Sequence, residues 1–72
     1  MTIDEHVGSR IKRRRRQLEL AHEDVAEKLG YSVSQIMRFE AGSTPAKPEL
    51  LVKLAGILGC KPGYFLEGAS GK

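Results

Sequence analysis

The apolar residues of this chain recur in short helical stripes separated by glycine and proline, and no stretch alternates as a strand would. Val7, Ile11 and Leu18 recur at heptad-like spacing, with Asp4 and Glu5 in the first turn and arginines later, as the helix dipole prefers. This predicts a first helix over 4–20. Val25, Ala26 and Leu29 mark a second helix over about 22–29, and Ile36 and Phe39 a third over about 33–40. Gly30 stands where the chain must bend sharply between them, Gly42 closes the third, and both suit the left-handed position that ends a helix. Ser32 is the natural N-cap of the third helix. Asp24, Glu27 and Lys28 fall on the wet side of the second helix, and Val33, Ser34, Met37 and Arg38 face outward from the third.

Residues 43–48 form a loop, because Pro45 and Pro48 push the residues before them away from helix, and Pro48 suits the first turn of the next helix. That fourth helix, over about 48–58, carries Leu51, Leu54, Ala55 and Leu58 on one stripe and Leu50 and Ile57 on a second, partly separate one. Gly59 ends it. Residues 61–66 read as a last helical turn with Pro62 at its start and Phe65 closing the core. The expectation is an all-α chain with one compact five-helix domain over 4–66 and a flexible C-terminal tail over 67–72 that lacks an apolar anchor.

With 72 residues, 40% of them hydrophobic, the chain can bury one small core and no second. Its apolar runs fall far short of the roughly 20 residues a membrane span needs, and the N-terminus lacks the apolar core of a signal peptide. The expected compartment is therefore the cytoplasm, with no membrane partner. Cys60 is the single cysteine and cannot form an internal disulfide. His6, His22 and Cys60 lie apart, with no metal-ligand spacing, nucleophile elbow or glycine-rich phosphate loop, so no metal, cofactor or enzymatic activity is expected.

Charge changes the picture more. The net charge is +3, the isoelectric point is near 9.3, and five of the twelve basic residues sit together in Lys12 to Arg16. Such a run suits a polyanionic partner or a solvated helix face. Arg14 and Arg15 occupy the gap between Ile11 and Leu18, so at least one arginine lies against the core. It needs a carboxylate there, since an unpaired buried charge is very costly.

Ala26, Gly30, Ile36 and Phe39 are the small residue, turn glycine and large apolar residues of a helix-turn-helix motif in register, and Leu54-Ala55-Gly56-Ile57-Leu58-Gly59 closes the fourth helix. On these positions the chain resembles the Cro/repressor-type (Xre-like) helix-turn-helix family over about 7–66. The resemblance implies a repressor-like fold in which helices 2 and 3 form the motif. It also implies a small sequence-specific regulator of transcription that binds double-stranded DNA and is expected to repress. Helix 3 would enter the major groove with Val33, Ser34, Met37 and Arg38 nearest the base edges. Arg38 can make two hydrogen bonds to a guanine, worth ~1–3 kcal/mol of discrimination, whereas Val33 can only pack on an apolar group such as a thymine methyl. The alternative for Arg38 is a surface salt bridge with a helix 2 carboxylate.

Phosphate contacts are implied for Arg10, Arg13, Arg14 and Arg16, for His22 and Ser32, for Ser43, Thr44 and Lys47, and for backbone N–H groups after Gly42. Consecutive helical residues point about 100° apart, so one or two of the arginines stay solvated. The family's pairing of a late helix 1 arginine with the glutamate ending helix 3 maps to Arg15 and Glu40, a structural ion pair that locks helix 3 against helix 1. Two departures stand out: Ala21 occupies the N-cap of helix 2, at a cost of ~1 kcal/mol, and His22 replaces a common glutamine, which would make binding depend on pH.

The family commonly forms homodimers through its C-terminal region to read half-sites about 34 Å apart. Leu50, Val52, Ile57 and Tyr64, if they lie outside the core, would form an apolar patch, and Leu50, Ile57 and Tyr64 are the expected dimer interface. The alternative is an antitoxin-like or other protein-interaction module that grips a protein partner with the same surface.

Overall fold

The computed structural model describes residues 2–68 and contains four α-helices, α1 (Ile3–Gln17), α2 (His22–Leu29), α3 (Val33–Ala41) and α4 (Pro48–Leu58), and after them a 3-10 segment (Pro62–Leu66). As expected, every regular element among the described residues is helical. Helix α1 crosses α3 and backs onto the 3-10 segment, while α2 packs on α3 and α4. The most deeply buried side chains, Ile11, Val25, Ile36, Leu54, Leu58 and Phe65, come from all five elements. The Tyr31 and Phe39 rings meet at a tilt, their centroids 5.9 Å apart, and close the core beside the turn. Among the described residues no helix is long and apolar enough to cross a membrane.

Helix α1 begins one residue before the expected Asp4 because Thr2 caps it. The Thr2 hydroxyl accepts the Glu5 N–H at 3.1 Å, and the Glu5 carboxylate accepts the Thr2 N–H at 2.8 Å. The far end departs more from expectation: α1 stops at Gln17 instead of Leu20. The Leu20 N–H bonds back to the Arg15 carbonyl at 3.1 Å and the Glu19 N–H to Arg16 at 3.0 Å, a closure with a left-handed residue between them. Glu19 takes that conformation, at φ 56°. A glutamate there costs ~1–2 kcal/mol and leaves no signal in the sequence. Leu18 is thereby carried off the core stripe and is 39% exposed, while Leu20 packs against the core.

The crossing of α1 on α3 is close enough to exclude a side chain. A Cβ on Gly8 would lie 2.3 Å from the Phe39 carbonyl oxygen and 2.5 Å from that of Glu40. One on Gly42, which sits at φ 77°, would meet the Glu5 Cα at 2.6 Å. Two glycines thus let the start of α1 lie directly on the end of α3.

Two C-terminal expectations change. Leu50 joins Leu51, Leu54, Ala55 and Leu58 in one broad buried face of α4, which removes it from any dimer surface, while Ile57 is half-buried. Glu67, placed in a flexible tail by its lack of apolar neighbours, is held by polar contacts. Its carbonyl accepts the His6 Nε2–H at 2.6 Å, and its carboxylate pairs with Arg10 at 3.1 Å. Residues 69–72 of the expected tail lie outside the described residues.

Candidate nucleic-acid interface

Both ends of α3 are set by local chemistry. The Ser32 hydroxyl accepts the Gln35 N–H at 3.2 Å and the Gln35 side-chain oxygen accepts the Ser32 N–H at 2.9 Å, a reciprocal cap that the Ser-x-x-Gln spacing encodes. Gly42 closes the other end, with the Ser43 N–H on the Arg38 carbonyl at 3.0 Å. Between these limits Ile36 and Phe39 are buried, and Ser34, Met37 and Arg38 are exposed. Arg38 takes part in no salt bridge among the described residues. Val33 differs from expectation: it is half-buried and packed against the core, so only part of it is offered outward.

The orientation of this face depends on a desolvated charge network. Arg15 donates through Nε to Glu40 Oε2 at 2.6 Å, through Nη2 to Glu40 Oε1 at 3.3 Å and through Nη1 to the Leu20 carbonyl at 2.8 Å. The side chains of Arg15 and Glu40 are only 9% and 6% exposed. His22 Nε2 stands 3.0 Å from Glu40 Oε1. The Glu40 carboxylate therefore ties α1, α2 and α3 together, and Arg15 joins the turn after α1 to them. The His22 side chain, for which a phosphate contact is implied by the resemblance, turns its Nε2 to Glu40. The helix it begins still offers donors: Asp24 accepts the Ala21 N–H at 2.8 Å, and the N–H groups of His22 and Glu23 have no partner among the described residues.

The arginines of α1 divide by what packs beside them. The Arg10 guanidinium lies 4.1 Å over the Tyr64 ring, and its Nε donates to the Tyr64 carbonyl at 3.1 Å. Arg14 donates to the carbonyls of Leu58 at 2.8 Å and Gly59 at 3.2 Å and to the Gln17 side chain at 3.2 Å. Both arginines thus satisfy carbonyls at the ends of α4 and the 3-10 segment. Phosphate contacts are the expectation for both, and these donors are engaged within the chain. The same packing draws the Tyr64 ring inward, with its hydroxyl buried and unpartnered, so little of it serves a dimer surface. Burial also pushes the neighbouring Cys60 thiol up, against the opposing pull of the Arg14 charge.

Lys12, Arg13 and Arg16 remain exposed and share an open groove with Ser9 and Gln17. Lys12 was not singled out from the sequence, yet it lines a second cavity with His22, Met37, Glu40 and Ala41, beside the outer face of α3. Its signal was its place three residues before Arg15 on the same helix face. Ser43 and Lys47 are exposed in the loop and Thr44 is half-buried. Among the described residues no group of three or more His, Cys, Asp or Glu side chains could hold a metal ion.

A short helix, a left-handed glycine turn and a second helix with a polar outer face, braced by α1 and α4, define a helix-turn-helix domain. The chain belongs to the Cro/repressor-type (Xre-like) helix-turn-helix family, whose model, described as Helix-turn-helix, matches residues 11–65. It is 38% identical over 69 residues to an uncharacterized HTH-type transcriptional regulator of Sinorhizobium medicae (strain WSM419), covering 96% of this chain and 50% of that protein. A protein of the same description from Rhizobium meliloti (strain 1021) matches equally, with 38% identity over 69 residues. An uncharacterized transcriptional regulator in the ATPase CF(0) region of Rhodospirillum rubrum is 35% identical over 65 residues, 90% of this chain and 60% of that one. The chain spans about half the length of the first two relatives. No solved structure matches it.

Proposed function

We propose that this chain is the DNA-reading part of a transcriptional regulator, with α3 in the major groove of double-stranded DNA. The observation that carries the reading is the exposed face of Ser34, Met37 and an unpaired Arg38, held in place by the Arg15–Glu40 contact and flanked by exposed Lys12. Arg38 reads a guanine edge, while Met37 and Ser34 contact neighbouring bases or the phosphate beside them. Lys12, Arg13 and Arg16, the first N–H groups of α2, and Ser43 and Lys47 meet phosphate and set the register. Two copies on half-sites one helical turn apart, about 34 Å, would give so narrow a reading surface its specificity, and occupancy of a promoter would repress. The names of the relatives as transcriptional regulators support this reading.

Selection of bound sequences from a random duplex library tests it. The expected result is a short enriched motif containing a guanine whose preference is lost in Arg38→Ala. Absence of binding to any duplex at low salt would overturn it, because phosphate attraction alone is detectable there.

A further inference from the structure

We propose that the groove between the C-terminal end of α2 and the outer face of α4 docks an acidic amphipathic helix of a partner protein. The groove is lined by Lys28 and Leu29 from α2 and by Lys53, Gly56 and Ile57 from α4. None of these residues belongs to the α3 face or to the Arg15–Glu40–His22 network, so the proposal stands independently of DNA reading.

Gly56 is the first ground. Inside a helix, glycine is less stable than alanine, so a helical glycine calls for a reason. Gly8 has one in the carbonyls of α3, but a Cβ on Gly56 would meet nothing within 4 Å. No contact within the chain requires the missing side chain. What its absence provides is a floor on which another helix backbone can come close.

The second ground is the wall of the groove. Leu29 and Ile57 are only half-buried, and Val52, outside the groove lining but one turn before Gly56 on α4, is 60% exposed. Apolar surface at this spacing matches the stripe of an amphipathic helix.

Charge selects the occupant. Lys28 and Lys53 stand on the two sides, neither takes part in a salt bridge among the described residues, and no carboxylate lines the groove. A second copy presenting this surface across a two-fold axis would set lysine against lysine. A helix with carboxylates beside its apolar stripe pairs with both.

The test is titration of the isotope-labelled full chain with two synthetic helical peptides. Both carry alanine and leucine at i, i+3, i+4 and i+7, one flanked by glutamates and the other by lysines. The glutamate peptide is expected to shift the amide signals of Leu29, Lys53, Gly56 and Ile57. Gly56→Leu, and separately Lys28→Glu with Lys53→Glu, should weaken that binding by about tenfold or more while the thermal midpoint stays near that of the parent chain. No binding of the glutamate peptide, equal binding of the lysine peptide, or shifts centred elsewhere would overturn the proposal. So would a concentration-dependent dimer in sedimentation that Gly56→Leu abolishes, since the occupant would then be a second copy.

Discussion

Arg15 and Glu40, 25 residues apart, meet through two hydrogen bonds, Nε to Oε2 at 2.6 Å and Nη2 to Oε1 at 3.3 Å, that hold the last turn of α3 against α1. The remaining Arg15 nitrogen caps the Leu20 carbonyl, and His22 reaches the same carboxylate. Both charges are nearly removed from water, so each depends on the other. Removing Glu40 leaves a buried guanidinium uncompensated, and Glu40→Ala should cost about 3–5 kcal/mol in thermal unfolding. The double change Arg15→Met with Glu40→Leu should recover most of that loss, because it removes both charges together. An unchanged melting temperature in Glu40→Ala would refute the coupling.

Two helical glycines should respond with opposite signs. Alanine is the better helix former by ~1 kcal/mol, and at Gly56 nothing opposes it, so Gly56→Ala should stabilise by about 0.5–1 kcal/mol. At Gly8 the added carbon meets backbone carbonyls that cannot rotate aside, and overpacking of this kind costs about 1–3 kcal/mol. Gly8→Ala should therefore be net destabilising in urea unfolding despite its better propensity. A stability gain there would show that α1 and α3 do not cross so closely.

The basic residues of α1 should separate into two groups in DNA titrations. Arg13→Ala and Arg16→Ala are expected to weaken all duplexes about alike and to lower the salt slope by about one each. Arg10→Ala and Arg14→Ala should lower the melting temperature and leave the salt slope in place, since their guanidinium groups are spent on Tyr64, Leu58 and Gly59. Arg38→Ala should instead relax one base position, by ~1–3 kcal/mol. Equal behaviour of all five variants would contradict the division.

The cap of α1 predicts an acid-side loss of stability. The Thr2 N–H donates to the Glu5 carboxylate and, with the Thr2 hydroxyl, holds it below the usual carboxylate range. A carboxyl whose folded pKa is lowered stabilises the fold above its unfolded pKa and loses that contribution as pH falls through the folded value. Unfolding measured from about pH 6 down to about pH 2 should therefore decline less steeply in Glu5→Gln than in the parent chain. Parallel curves would rule out this role.

Periodicity and turn chemistry are local, and what they dictate was legible directly. Helices α2 and α4 have the expected bounds, Ser32 and Gly42 delimit α3, and Phe65 closes the core, because each is set by residues a few positions apart. The gap between Ile11 and Leu18 likewise required an arginine near the core with a carboxylate to meet it.

Which groups meet across the fold was decided only by tertiary packing. Four consecutive arginines look alike in sequence, yet Arg14 lies beside the open carbonyls ending α4, Arg15 beside Glu40, and Arg13 and Arg16 beside water. Leu50 falls on a second stripe of α4 and reads as dimer surface, yet it is buried, with Tyr31 and Phe39 beside it. Glu19 ends α1 in a conformation that glycine would have announced, and Gly8 matters only because two carbonyls of α3 lie above it. Helical spacing states the direction in which a side chain leaves its own helix. What it touches depends on a second backbone whose distance no local pattern encodes.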